Sequence, residues 1–396
     1  MEKQNIKIKR SKGRLYKKKR SAGRRVMEII LMVLAVGILG VVGYSAAGPL
    51  ISYFKGEGET STTPWEPPES STPEESDTSD SESSPDTTTH YFSDGSGAYV
   101  LSANALVSPS SLIQELSGAE SAGCSVIILP VKTEDGLLLY SSQISSVKDT
   151  ELVAGSMTAS QIVGVVKDRG FERVVALVPA LYDKSTPQYV ADTGYRFADE
   201  SYAWLDAAAN NGGKQWVDPF RGGTRNYYTQ LVRELTGAGF DEVLLSEMRF
   251  PKFTTYDQTI LDQRNFAGNR YTALTSLYSS VNSAAGGGKT AVAVDIADVL
   301  AGFGKSYGGT AEILSDRSFT GTVYLMIDLS RFGTTLDTEE NGKVTLPSDP
   351  AQKVTTLVSK AAGYIGTNLT VVPVVRAEGM TAEQLKRCYD ALDSGQ

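Results

Sequence analysis

The stretch "AGFDEVLLSEMRFPKF", residues 238–253, joins a short apolar run to a group of polar residues. The run Val-Leu-Leu at residues 243–245 is too short for a buried helix and is typical of a strand covered on both faces. Ser246, Glu247 and Arg249 follow it directly. In parallel sheets covered by helices, functional side chains lie at the carboxyl ends of the strands. The stretch therefore predicts a buried parallel strand that ends in a functional site.

The same theme recurs on both sides of this stretch. Six further apolar runs are present: "YVLSANALV" from residue 99, "SVIILPV" from 125, "RVVALVPAL" from 173, "TAVAVDIADV" from 290, "GTVYLMIDL" from 321 and "LTVVPVV" from 369. Segments of helical periodicity separate them, and several begin at Ser, Thr, Asp or Asn and end at Gly: "SPSSLIQELSGAESAG", "TASQIVGVVKDRG", "RNYYTQLVRELTGAG", "YTALTSLYSSVNSA", "DPAQKVTTLVSKAAGYIG" and "TAEQLKRCYDALDS". This alternation predicts an α/β fold, either a (β/α) TIM-type barrel or a doubly wound open sheet.

The amino-terminal residues differ in charge from the rest of the chain. Residues 1–25 contain twelve Lys or Arg and one acid, although the whole chain of 396 residues has a net charge of −8. Residues 29–54, "IILMVLAVGILGVVGYSAAGPLISYF", contain no charged side chain and are long enough to cross a bilayer. We predict a basic cytoplasmic segment at 1–25 and one transmembrane anchor within 26–54, oriented by the positive-inside rule. A cleaved signal peptide is the alternative, although its apolar core is usually shorter.

A polar segment follows the predicted anchor. Residues 55–97 are rich in Ser, Thr, Pro and acidic side chains, and contain no Lys or Arg from residue 56 onward. Such a composition cannot bury enough apolar surface to offset its chain entropy, so we predict a disordered stalk. The stalk would hold a barrel at 98–396 outside the cell membrane, as expected of a protein that works in or beyond a cell wall. Beside a membrane helix, the basic arm is interpreted as a topology signal and not as a nucleic-acid site.

The single histidine removes several enzyme classes. His90 falls in the predicted stalk, so Ser-His-Asp and Cys-His hydrolases and His-ligated metalloenzymes are excluded. Cys124 and Cys388 are interpreted as two buried thiols, with a disulfide as the alternative. The glycine-rich "SAAGGGKT" at residues 283–290 follows a predicted helix and leads into a strand, the reverse of a phosphate-binding loop. We therefore predict neither a metal nor a cofactor.

Five motifs, in order, resemble one known family. They are "AESAGCSVIILPVKTEDGLLLYSS", "RVVALVPALYDKSTPQYV", "QWVDPF", "LVRELTGAGFDEVLLSEMRFP" and "TAVAVDI". Together they resemble a bacterial family of glycoside-hydrolase-like TIM-barrel proteins, and the resemblance extends over residues 98–394. It implies the barrel and not the open sheet, and a carbohydrate as the ligand.

The chain departs from this family at several expected strand ends. Pro130 stands where the family has an acid in a motif that looks like "IDVKDDxG", and Leu177 stands where it has Arg. Ser246 replaces an Asp of a motif that resembles "FDYVRFP", and residues 326–329 replace Met-Val-Tyr-Pro. The seventh strand reads "VPVVRAEG" in place of "RPWLQDF". The family's eighth strand would follow "YDALDSGQ", with which the given sequence ends at Gln396, so we predict a barrel that lacks its eighth strand or closes in an unusual way. These changes put catalysis in doubt but leave the fold intact, because function in this fold resides at those ends.

Glycoside hydrolysis needs only two carboxylates, and the strand ends supply candidates. The predicted catalytic residues are Glu247, paired with either Glu378 or Asp218. Six further strand-end residues are predicted to bind substrate: Lys132, Asp183, Trp216, Arg249, Asp295 and Asp328. Asp135 and Arg376 lie at strand ends as well. The alternative for any single acid is that it caps a helix or pairs with a neighbouring base.

Two functions remain open at this stage. One is a membrane-anchored extracellular hydrolase of envelope or other glycans, and the other is a catalytically silent barrel that binds a glycan or a protein. Strand alternation directs Glu247 away from the face that Ser246 occupies, unless a bulge or turn redirects its side chain. The gap between residues 173 and 242 is about twice a usual βα repeat, so we predict that it supplies a missing strand or a lid.

Overall fold

The strands of the barrel are short and follow the predicted apolar runs. The computed structural model describes residues 97–266, 269–301, 321–338, 342–366 and 369–394. Its strands are β1 (Ala98–Val100), β2 (Val126–Pro130), β3 (Arg173–Pro179), β4 (Glu242–Ser246), β5 (Thr290–Asp295), β6 (Gly321–Ile327), β7 (Thr335–Thr338), β8 (Gly342–Thr345) and β9 (Leu369–Val375). Strands β1 to β6 and β9 form one parallel sheet in that order, and β7 pairs with β8 in a separate antiparallel hairpin.

Each strand of the sheet buries both of its faces. Ile128, Val175, Leu244 and Val374 belong to one apolar cluster, which fills the inside of the curved sheet. The alternate side chains, such as Ile127, pack into a larger cluster between sheet and helices. Since successive strand side chains point to opposite faces, this double burial explains the continuous apolar runs in the sequence.

Helices cover the outside of the sheet. They are α1 (Pro109–Ser121), α2 (Ala159–Asp168), α3 (Thr186–Tyr189), α4 (Gly222–Gly237), α5 (Asp257–Ile260), α6 (Asn269–Ala284), α7 (Ile296–Leu300), α8 (Pro350–Ala362) and α9 (Ala382–Ser394). Local sequence fixes their starts: Thr158 caps α2 through a reciprocal box with Gln161, and Asp349 caps α8 by accepting from the Gln352 N–H. The six predicted helices are all present.

The seven-stranded sheet is nearly closed, and the Tyr389 side chain joins its two edges. The Tyr389 hydroxyl donates to the Ala98 carbonyl of β1 at 2.6 Å and accepts from the Val375 N–H of β9 at 3.1 Å. Gly97 precedes β1 at φ +72, and a Cβ atom there would overlap the Tyr389 ring. A buried tyrosine on the last helix therefore closes the seam where an eighth strand would stand.

Replacing Tyr389 with phenylalanine tests this closure. We expect the free energy of unfolding to fall by about 1–3 kcal/mol, because the variant leaves two buried backbone groups without a partner. The matched control is Tyr195→Phe. Tyr195 is equally buried, but its hydroxyl has no hydrogen-bond partner among the described residues. Denaturant unfolding measures both variants, and equal stability of Tyr389→Phe and wild type would contradict the seam.

The long connection between β3 and β4 forms a lobe and not a strand of the barrel. Strands β3 and β4 pair directly with each other, so the predicted missing strand from this segment is wrong. The lobe contains α3 and isolated antiparallel bridges such as Gly194 with Val217. Its centre is aromatic, with the rings of Tyr195 and Trp204 5.7 Å apart. Both rings also contact Phe253 in the chain after β4.

The fold agrees with the predicted TIM-type barrel and excludes the doubly wound open sheet. All seven predicted runs contain barrel strands, and Cys124 and Cys388 are both buried and form no disulfide. The predicted basic segment, the anchor and the stalk up to residue 96, with His90, lie outside the described residues. Among the helices that the structure describes, none has the length and apolarity needed to cross a membrane.

Candidate active site

A pocket of about 580 Å³ lies at the carboxyl ends of the barrel strands. Residues in or shortly after β2, β3, β4, β5, β6 and β9 contribute to its wall. Its charged lining residues are Lys132, Glu134, Glu247, Arg249, Asp295, Asp298, Asp328, Arg331 and Arg376. The barrel therefore brings together acids and bases that are far apart in the sequence, at the position where TIM barrels carry their sites.

Glu247 enters this pocket because the chain turns sharply after β4. The strand ends at Ser246, and Glu247 has φ +54, in the left-handed region that side chains rarely adopt. The turn is held by the chain after β3, since Ala180 N–H donates to the Ser246 carbonyl and Leu181 N–H to that of Glu247. The positive φ redirects the side chain that strand alternation would have sent away, so Ser246 and Glu247 line one pocket.

The environment of Glu247 favours its protonated form. Burial raises the pKa of this carboxyl, and nearby Glu134 and Asp298 raise it further, while Arg249 opposes the shift. The Arg249 Nε lies 2.5 Å from the Glu247 Oε2. A carboxyl with a raised pKa can hold a proton at a pH where an exposed glutamate cannot, as a general acid requires.

Two aromatic rings fix the arginine that holds Glu247. The Arg249 guanidinium lies 5.2 Å from the centre of the Tyr182 ring and 5.5 Å from that of Trp216, within cation–π range. The Trp216 indole N–H donates to the Asp206 carboxylate at 3.0 Å. Trp216 is buried and is not part of the pocket lining, so the structure gives it a supporting contact with Arg249 where we predicted a sugar contact.

Asp295 is the second carboxylate at a strand end in the pocket. It ends β5 and caps α7, accepting from the Ala297 N–H at 2.8 Å, and its other oxygen pairs with Arg331. Burial raises the pKa of Asp295, against the effects of Ala297 and Arg331, and Asp298 raises it further. Two donors from different elements thus orient Asp295, whereas Glu247 is oriented by Arg249.

Lys132 and Asp183 form a fully buried ion pair beneath the pocket. The Lys132 Nζ lies 2.8 Å from the Asp183 Oδ2 and donates to the Pro179 carbonyl at 2.6 Å. The other Asp183 oxygen accepts from the N–H groups of Ser185 and Thr186. The pair therefore ties the end of β2 to the end of β3 and to the start of α3. Lys132 also lines the pocket, but Asp183 does not.

The predicted partners of Glu247 lie elsewhere. Glu378 is exposed on the turn after β9 and lines a different cavity of about 170 Å³. Asp218 is buried outside the pocket lining and pairs with Arg221 at 3.3 Å, and burial raises its pKa to about 6. The barrel does not place either acid in the pocket beside Glu247. The strand-end acids that it does place there are Asp295 and Asp328, both of which we predicted only as substrate contacts.

Other sequence predictions have mixed outcomes. Asp328 lines the pocket, but its carboxylate accepts from the N–H and hydroxyl of Ser330, as a capping residue does. Asp135 pairs with Lys184 on the surface. Among the described residues, no three His, Cys, Asp or Glu side chains are grouped as metal ligands.

The pocket also contains charged residues that the sequence interpretation missed. Glu134, Asp298 and Arg331 all line it. Glu134 stands within the quoted "VKTEDG" motif, and Asp298 lies one helical turn after Asp295, so both carried a signal in the sequence. Arg331 carried none, because it ends a three-residue 3₁₀ helix after β6, which is too short to be marked by any sequence periodicity.

The polar floor expected from the family resemblance is absent from the described lining. Pro130, Leu177, Ser246 and Met326 occupy this part of the pocket. These are the positions at which the sequence departs from the family pattern. Three of these four residues are apolar, so this part of the pocket surface offers few polar groups to a ligand.

Comparison with protein families identifies the domain. The sequence profile of a family described as "Putative glycosyl hydrolase domain" matches residues 97–308, just over half of the chain. The chain belongs to this family. The glycosyl-hydrolase-like assignment confirms the resemblance found in the sequence motifs. A comparison with curated proteins gives no match.

Solved structures that match this glycosyl-hydrolase-like domain have low sequence identity to it. A hypothetical protein from Ruminiclostridium thermocellum is 16% identical over 47% of this chain and 91% of its own, with a TM-score of 0.40. The PgaB (BpsB) glycoside hydrolase domain from Bordetella bronchiseptica is 15% identical over 70% and 83%, with a TM-score of 0.42. Alpha-L-fucosidase isoenzyme 2 from Paenibacillus thiaminolyticus is 12% identical over 75% and 49%, with a TM-score of 0.41.

Proposed function

We propose that the strand-end pocket binds a glycan and hydrolyses a glycosidic bond with Glu247 and Asp295. The observation that carries this proposal is the presence of both carboxylates in one pocket, at the ends of neighbouring strands, each with a pKa raised by burial and each paired with an arginine. Glycoside hydrolysis requires two carboxylates in different protonation states and neither histidine nor metal. Membership of a glycosyl-hydrolase-like family supports the same reaction class.

The two carboxylates take different roles in this proposal. Glu247 protonates the leaving oxygen, because burial and two neighbouring acids favour its protonated form. Asp295, oriented by the Ala297 N–H and by Arg331, serves in its ionised form as nucleophile or as the base that activates water. Arg249, held by Tyr182 and Trp216, keeps Glu247 in place.

A catalytically silent glycan-binding barrel is the second candidate. Pro130, Leu177 and Ser246 favour it, because they replace polar residues of the family pattern on the pocket surface. A pocket of this kind would still bind a sugar through Glu247, Asp295 and the lining arginines. The two candidates share one ligand class and differ only in turnover.

One experiment separates these candidates. The full-length protein in detergent is incubated with a panel of oligosaccharides, and both binding and the release of new reducing ends are measured. Release of reducing ends supports hydrolysis, whereas binding without release supports the silent barrel. If no oligosaccharide is bound or cleaved, the proposed carbohydrate function is wrong.

We propose further that the barrel is extracellular and anchored by residues 29–54. The support is the uncharged run of 26 residues behind an arm with twelve basic side chains. External protease on intact cells is expected to remove the barrel and to leave the amino terminus protected, and both should be digested in permeabilised cells. Survival of the barrel with loss of the amino terminus would show the opposite orientation.

A further inference from the structure

The cations of the pocket differ in whether they already have an anionic partner. Lys132 pairs with Asp183, Arg249 with Glu247, and Arg331 with Asp295. Arg376 also lines the pocket, but it forms no ion pair with any acid in the part of the chain that the structure describes. Its guanidinium is therefore the pocket cation that remains able to bind a ligand anion.

The backbone of Arg376 is held in place, although no acid among the described residues pairs with its side chain. The residue follows β9 directly, and its N–H donates to the Ile327 carbonyl of β6 at 2.9 Å. It is half-buried and stands between the central pocket and the smaller cavity that Glu115 and Glu378 line. The Glu115 carboxylate is already engaged by the N–H and hydroxyl of Ser102. A fixed backbone thus presents the side chain at the wall of the pocket.

A half-buried guanidinium without a counter-ion has lost part of its hydration free energy, and no ion pair compensates for that loss. An anionic group on a bound ligand would supply that pair. Arginine suits this purpose because its planar fork can donate two parallel hydrogen bonds to a carboxylate. The unpaired Arg376 therefore indicates an acidic ligand and not a neutral one.

The remaining charges of the pocket favour a single negative charge on that ligand. Glu134 and Asp328 line the same pocket as Arg376, and their carboxylates would repel a phosphate dianion more strongly than a monoanionic carboxylate. Glu247 does not add to this repulsion when it is protonated. A carboxylate thus fits the charge of the pocket better than a phosphate does.

We propose that the pocket selects a sugar that bears a carboxylate, of the uronic-acid class, and that Arg376 pairs with this group. The inference rests on the proposed carbohydrate function and adds the substrate class. Arg376 acts as a specificity-determining residue that contacts the ligand, and Glu247 and Asp295 remain the reacting groups.

Binding of matched sugars tests the inference. The full-length protein is titrated by calorimetry with uronic-acid oligosaccharides from pectin, alginate and hyaluronan, with the same oligosaccharides after reduction of their carboxyl groups to alcohols, and with a phosphorylated oligosaccharide. At least one uronic-acid oligomer should bind about tenfold or more tightly than its reduced form. Arg376→Gln should remove this difference, so that the acidic and the reduced form of the same oligosaccharide bind with equal affinity.

Two controls make the outcome specific. Arg387→Gln removes the same charge from an exposed arginine on α9 that pairs with Asp349, and it should retain the full preference. Arg376→Lys should keep part of the preference for the acidic oligosaccharide over its reduced form. Equal affinity of wild type for acidic and reduced sugars, tighter binding of the phosphorylated sugar, or a preference that survives in Arg376→Gln would overturn the inference but leave a carbohydrate site. Failure of every sugar to bind would overturn the proposed function together with it.

Discussion

Replacement of Glu247 by glutamine is expected to lower kcat/KM for glycoside hydrolysis by about 10²- to 10⁴-fold, the contribution typical of general acid catalysis. Glutamine has nearly the same shape and can still accept from Arg249, so the variant should fold and bind sugar. It cannot give a proton to the leaving oxygen. Release of reducing ends from an oligosaccharide with an unactivated leaving group is the measurement, because such substrates depend most on protonation.

The pH dependence of the hydrolysis rate provides a second test of Glu247 as the general acid. Because burial raises the pKa of Glu247, the protonated acid persists to a higher pH than an exposed glutamate would, and the wild-type rate should fall as the pH rises through that folded pKa. The Glu247→Gln variant should lack this decline. Glu378→Gln is the matched control, since Glu378 is exposed and lies outside the central pocket, and it should keep the wild-type rate and profile. An unchanged rate in Glu247→Gln would end the assignment of the acid.

Replacement of Lys132 by methionine is expected to cost about 3–5 kcal/mol in the free energy of unfolding, because it leaves the Asp183 carboxylate buried without its ionic partner. The cost includes the hydrogen bond from Lys132 to the Pro179 carbonyl. Urea unfolding of the full-length protein measures it. Sugar binding should weaken as well, since the pair holds together the strand ends below the pocket.

A double variant separates the lost pair from the lost side chain. Lys132→Met combined with Asp183→Leu removes both buried charges, so it should be more stable than Lys132→Met alone. Lys386→Met is the surface control, because Lys386 pairs with Asp390 in solvent. It should unfold at the same urea concentration as the wild type. If Lys132→Met also unfolds at the urea concentration of the wild type, the buried pair does not stabilise the strand ends.

The strands and main helices could be predicted because local sequence determines them. The run at residues 243–245 must be buried on both faces, and no other element of this length accommodates three consecutive aliphatic side chains so well. Caps such as Thr158 mark helix starts through hydrogen bonds to residues only three positions away. Information of this kind is contained within a few residues.

The site was harder to predict because it depends on contacts between distant segments. The direction of Glu247 follows from a positive φ that the chain after β3 stabilises. The partner of Asp295 is Arg331, from a loop beyond the next strand, and Trp216 reaches Arg249 only through the lobe between β3 and β4. The Tyr389 seam is likewise a contact between the last helix and the first strand. Strand periodicity carries no signal for any of these contacts.

The central claim is that the pocket at the strand ends is the carbohydrate site. A crystal structure of the Glu247→Gln variant with a bound oligosaccharide tests it most directly, since the variant should bind the sugar without cleaving it. We predict a sugar ring within hydrogen-bond distance of both Asp295 and the side chain at position 247. An oligosaccharide bound on another face of the barrel, with the strand-end pocket filled only by solvent, would contradict the account.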